Sequence, residues 1–401
     1  MSLRTFIQNY PFLKPEMTEK VRSYYDSLLE IDHNLDRLVR EIDVLNYLNP
    51  LNIEQEKKRF FASKFSEDPV FNYRKLKFDP YTLQRQFFSQ RLEDIPDEDI
   101  YKLYHDTIYE YSGLVQCMAT VGKGPKFFYN SLRVFGTPKE KDVKNAKFIL
   151  HFHKEEDAEE MVPRYNADQA QAYFQAFGEK HGLNFKIKQS NSITGPAMAL
   201  ATAKSLIVKK NRKFSDNDLK IQANHEIGVN MLTTFNGLNQ PLRIFSHGFA
   251  NNHLTQAGLA VLSEYMSDSL SLKRMKELAY RVLAADSLIK GYSFSDTFDL
   301  LYNQYKLDKE TAWIITLRAH RGGGFTKDHQ YLPGLKKVYD YYTSGKDLNL
   351  LLTGKVAVED ADLIESLQQK GLAEKNAFFT HSFRENKNTN DKLDFLLSNL
   401  K

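Results

Sequence analysis

The chain of 401 residues is 42% apolar and 26% charged, the proportions of an ordinary soluble globular protein. Its net charge of +4, spread over a large surface, gives no general case for nucleic-acid or membrane binding. Cys117 is its single cysteine, which excludes an intrachain disulfide and a cysteine-based zinc site.

Taken in chain order, the first 150 residues or so read as helices. The stretch 15–48 starts at Pro15, carries apolar residues at 3–4 spacing and is stopped by Asn49-Pro50. Further helices are predicted near 53–64, 80–92, 97–120 and 138–148, and another over 158–182 that ends at Gly182. Two strand-like runs follow, "LNFKIKQSN" (183–191) and "AKSLIVKKN" (203–211). The basic run "VKKNRKF" (208–214) reads as a solvated hairpin tip. Beyond residue 215 helical patterns return, over 215–235, 255–267, 271–290, 294–306, 308–319, 331–344 and 358–371. After residue 384 a polar segment leads into a weakly amphipathic, loosely docked terminal helix. The expected fold is mainly α with a small β-sheet (α+β). The expected organisation is a helical N-terminal region (1–150) and a core (151–401), or one integrated domain. The N-terminal segment "MSLRTFIQNYPFLKP" lacks the apolar core of a signal peptide, and no window approaches about 18 uninterrupted apolar residues. The expected location is therefore the cytoplasm.

Residues 224–230 read "NHEIGVN". A zinc peptidase needs protein ligands around an open position for water, with a carboxylate beside that water as base. His225 and Glu226 fit the first ligand and the base. The second histidine of the HExxH pattern would fall on Val229. Position 230 lies about 140° further around an ideal α-helix than position 225, so a ligand pair at that spacing needs a widened, π-like turn. Gly228 would ease such a distortion.

Further blocks follow in order: "LTQAGLAVLSEYMS" (254–267), "LSLKRMKELAYRVLAADSL" (270–288) and "RAHRGGGFTKDHQYLPGL" (318–335). Together with "HEIGVN" they resemble the QEGLA-motif proteins, also called flavohaemoglobin expression-modulating proteins, which are related to the microtubule-associated tyrosine carboxypeptidases. The resemblance implies a zincin-like zinc metallocarboxypeptidase acting on the C-terminal residue of a peptide or protein, aromatic in the animal members. It places the first zinc histidine on His225 and the general base on Glu226. It places the second histidine on Asn230 and the glutamate of QEGLA on Ala257. Alanine cannot bind metal, and a neutral amide oxygen suits calcium or magnesium better than zinc. Sharing about 10–16 kcal/mol equally among four zinc ligands gives each about 3–4 kcal/mol. Two losses then weaken binding by about 6–8 kcal/mol, or about four to six powers of ten. The inherited zinc site is expected to be empty and the chain inactive.

Substitute ligands are available in type. His247 and His253 lie between the two motif segments, and a relocated site of His225, His247 and His253 is chemically reasonable. Glu264 lies two turns beyond Ala257 on the same predicted helix. Arg318, His320, Arg321 and Lys327 supply donors for a substrate carboxylate, Arg318, Arg321 and Lys327 being the expected binding residues. Gly322, Gly323 and Gly324 allow close approach or unusual dihedrals. Tyr331 is expected to donate to an oxyanion, and Asp328 either to pair with an arginine or to do chemistry. Three readings stay open: a pseudopeptidase (natural or engineered), an active peptidase with relocated ligands, and a non-catalytic regulatory scaffold. The expected partner is a peptide or protein C-terminus.

Overall fold

A computed structural model describes residues 19–152, 161–200 and 204–401. The fold is mainly helical with one small sheet, as the periodicities predict. Strands β1 (Lys186–Ser190), β2 (Ala197–Leu200) and β3 (Ser205–Lys209) lie in the order β1-β3-β2. β1 runs parallel to the central β3, with Ile187 opposite Leu206, and β2 runs antiparallel to it, with Met198 opposite Ile207. Only β1 and β3 were expected. β2 is four residues of Ala, Met and Leu, without the β-branched residues that mark a strand.

Several boundaries differ from expectation. The predicted 15–48 helix is described as helix Glu19–Val39 followed by a separate Val44–Leu48, whose first turn is capped by the Asp43 carboxylate. Residues 15–18 lie outside the described residues. The helix expected over 158–182 is Ala167–Lys180, started by a reciprocal Asn166–Gln169 capping box after Pro163. The first part of that prediction also falls outside the described residues. Helix Pro125–Phe135 was not anticipated. The basic run is no hairpin tip: Phe214 bridges back to Tyr165, and the next helix, Asp216–Gln222, starts at once. The terminal helix Asp391–Asn399 is firmly docked, with Leu393, Leu396 and Leu397 fully buried and Tyr265 donating to Asp394.

The N-terminal helices and the later ones share one hydrophobic cluster, in which Leu35, Phe87 and Ile108 join Ile227, Leu259, Val338 and Leu396. A second cluster sets Phe60 edge-on to Phe294 and Phe298 and against Trp313. Among the described residues no helix is long and apolar enough to cross a membrane.

At the centre, helix Asn252–Met266 packs closely on helix Tyr331–Thr343. Glycines make this approach possible. A Cβ at Gly258 would stand 2.1 Å from the Gly334 carbonyl oxygen, and one at Gly334 would stand 2.3 Å from that of Leu254. Both neighbours are backbone atoms that cannot move aside without parting the helices. Gly258→Ala is therefore expected to destabilise the fold by about 1–3 kcal/mol or more, although alanine is the better helix former. Chemical denaturation of the two proteins measures it, and an unchanged or raised midpoint would contradict the packing.

Candidate functional site

The chain around "NHEIGVN" is a π-helix, Ala223–Met231, continuous with α-helix on both sides. This is the widened turn that the five-residue spacing required. It carries His225 and Glu226 to the wall of a cleft of about 620 Å³, within the size range of ligand pockets. Helix Leu272–Ile289 contributes Arg274, Glu277 and Arg281 to the cleft, helix Lys309–His320 contributes Arg318, and Tyr331 closes the floor.

His225 is buried, and its Nδ1 lies 2.8 Å from Oε1 of the fully buried Glu264. Arg274 donates to the same carboxylate through Nε at 3.0 Å and Nη2 at 3.3 Å. Burial pushes the Glu264 carboxyl up, but Arg274 and His225 outweigh it and hold it below the usual range. An ionised carboxylate only accepts, so His225 donates from Nδ1 and, when neutral, turns a bare Nε2 outward. Glu226 accepts the Ala199 N–H of β2 at 2.9 Å and the Asn230 side-chain amide at 3.2 Å, both on Oε2. Its Oε1 lies 4.0 Å from His225 Nε2.

Arg318 forms a two-point pair with Asp328, one arm being Nη2 to Oδ1 at 2.9 Å, which is one of the two roles open to that aspartate. Arg281 donates to Glu277 at 2.5 Å and sits 5.2 Å from the Tyr331 ring centre, while its buried Nε has no partner among the described residues. Burial pushes the Tyr331 hydroxyl up, so it is a proton donor at neutral pH.

The other sequence candidates go elsewhere. Arg321 is buried and does not line the cleft; its Nη1 donates to Asn49 at 2.8 Å and reaches Thr194 of the cleft wall at 3.5 Å, and burial pushes its guanidinium down to about 10. His320 is half-buried against Phe294, with Nε2 2.8 Å from Thr297 Oγ1. Gly322, Gly323 and Gly324 all have positive φ, as foreseen, but they meet Phe127, Gly124 and Phe128 and form no ligand cradle. Lys327 is placed over the Phe135 ring. His247 pairs with Asp36 at 2.8 Å. His253 packs on Phe135 and stands 3.6 Å from Glu110, whose carboxylate also accepts the Asn251 N–H at 2.7 Å. The structure thus does not bring His247 or His253 to His225. Among the described residues no three His, Cys, Asp or Glu side chains gather as a metal centre. Glu264 points inward, but to the far side of the His225 ring.

Sequence reasoning missed Ala199, Arg274, Arg281 and the role of Glu264. A signal for the last was present: a glutamate inside the apolar run "LAVLSEYM" must be paired if it is buried.

The profile of the family described as "Microtubule-associated tyrosine carboxypeptidase" matches residues 58–401. A human protein named "Putative tyrosine carboxypeptidase MATCAP2" is 31% identical over 156 residues, covering 36% of this chain and 29% of the relative. The mouse protein of the same name is 22% identical over 344 residues, covering 82% of this chain and 57% of the relative. The chain therefore spans little more than half the length of these curated relatives at most. The match over most of its own length, with the His225–Glu226 cleft inside it, places the chain in the microtubule-associated tyrosine carboxypeptidase family.

Proposed function

We propose that this chain binds the C-terminal carboxylate of a peptide or protein in the His225–Tyr331 cleft without hydrolysing it, as a zinc-free member of a carboxypeptidase family. The observation that carries this reading is the chemistry at the two altered ligand positions. Asn230 turns its amide N–H to Glu226, and Ala257 has no donor atom. Glu264 is already held by His225 Nδ1 and Arg274, so it cannot serve as a replacement. The residues present do not fit a zinc ion.

Carboxylate binding is supported by what remains. Arg318 keeps one terminal nitrogen outside its pair with Asp328, and the Arg281 guanidinium lines the same cleft. Tyr331, on the same lining, adds a neutral hydroxyl donor. Charge-assisted bonds of this kind contribute about 1.5–3 kcal/mol each. A fluorescent peptide with a free C-terminus is expected to bind at least about tenfold tighter than the same peptide with a C-terminal amide. Equal binding of acid and amide would remove the reading, and one tightly held zinc per chain by elemental analysis would remove its zinc-free part. The cytoplasm remains the proposed location.

A further inference from the structure

Two acceptors face one another across the centre of the cleft. Glu264 accepts a hydrogen bond from His225 Nδ1, and in that tautomer Nε2 is the acceptor on the opposite edge of the ring. Glu226 Oε1 stands 4.0 Å away, too far for a hydrogen bond between them, while Oε2 is already filled by Ala199 and Asn230. Both residues line the cleft. Two converging acceptors with no donor between them among the described residues suit a group that carries several protons, and positive charge suits the carboxylate best.

The carboxylate-binding donors lie close by. The Tyr331 ring centre is 5.9 Å from that of His225, and Arg281 is 5.2 Å from the Tyr331 ring. One residue spans about 3.5 Å, so acceptors and donors can be bridged by a single amino acid with a hydrogen bond at each end.

We propose that the floor of the cleft binds a free α-amino acid as its zwitterion. The ammonium group lies between His225 Nε2 and Glu226 Oε1, and the carboxylate lies against Arg318, Arg281 and Tyr331. An ammonium offers three N–H donors to the two acceptors. The amide nitrogen of an intact peptide offers one, and no charge. Free amino acids are what peptide hydrolysis at a C-terminus releases, so a chain with the pocket and no zinc is suited to hold that class of product. The proposal rests on the carboxylate reading above and adds the amine end to it.

Isothermal titration with L-tyrosine and L-glutamate, their N-acetyl derivatives and their α-amides tests both ends separately. At least one free amino acid is expected to bind about tenfold or more tighter than its N-acetyl derivative. Glu226→Gln, checked for an unchanged melting temperature, should reduce that preference to threefold or less. N-acetyl derivatives binding as tightly as the free amino acids would overturn the proposal and leave the carboxylate reading standing. Amides binding as tightly as acids would sink the carboxylate reading itself. Failure of both amino acids to bind at millimolar concentration overturns the proposal too. If Glu226→Gln does not fold, the acetylation comparison on the unaltered chain still decides.

Discussion

A chain carrying both Asn230→His and Ala257→Glu is expected to bind one zinc ion tightly, whereas the unaltered chain does not. Two restored ligands should recover about 6–8 kcal/mol of zinc affinity, or about four to six powers of ten. The local geometry is prepared for this. The π-helix Ala223–Met231 already provides the widened turn that a ligand pair five residues apart needs. Glu264 already fixes the His225 ring from behind, in the manner of the carboxylates that orient metal-bound imidazoles. Asn230→His also removes the amide that now holds Glu226, leaving Ala199 as its remaining donor. Zinc uptake measured by elemental analysis after dialysis decides the first half. Release of a C-terminal residue from a peptide, abolished by Glu226→Gln, decides the second. A folded double variant without zinc would mean that Asn230 and Ala257 are not the ligand positions. Zinc without activity would locate the remaining deficit in the substrate cleft.

What the sequence could and could not reveal follows from the range of each interaction. Helix and strand positions depend on local periodicity, and most elements were found in their places. The π-turn was legible because it is a matter of spacing: a motif with its partner one residue late can be reconciled with one face only by widening the turn. The placement of side chains within the site depends on contacts between distant segments. Lys327 and His253 are residue types that suggest a site, yet the chain folds them toward Phe135 and Glu110, where burial pushes the Glu110 carboxyl up to about 7. Arg274 and Arg281 stand seven residues apart, two turns of one helix, with Glu277 between them. That pattern reads equally well as a solvated face until the cleft is seen against it. Ala199 was beyond reach, because its backbone N–H matters only through β2, a strand whose residues give no β signal.

Glu264 is the residue on which the stability of this site is expected to depend most. It is fully buried, and its carboxylate is shared between His225 and Arg274. Arg274 also pairs with Glu277 at 3.0 Å, and Glu277 in turn with Arg281, so removing one charge leaves the rest of the chain unbalanced. Glu264→Gln keeps the shape and removes the charge. Breaking a buried pair by neutralising one partner costs about 3–5 kcal/mol, and Glu277 retains part of the Arg274 interaction, so about 3 kcal/mol is expected at pH 7. The pH dependence identifies the cause. Burial raises the Glu264 carboxyl, but Arg274 and His225 hold it below its ordinary value of 4.5, so the folded state binds its proton less readily than the unfolded chain does. Its contribution is therefore complete above about pH 4.5 and is lost as the pH falls toward the folded value. Urea unfolding of both proteins between pH 7 and pH 4 should show a difference that is largest at neutral pH and begins to close at the acid end. A cost that stayed constant into acid would point to lost packing around a glutamine. A cost near zero at pH 7 would mean that Glu277 alone satisfies Arg274, and that His225 does not need Glu264 to hold its ring.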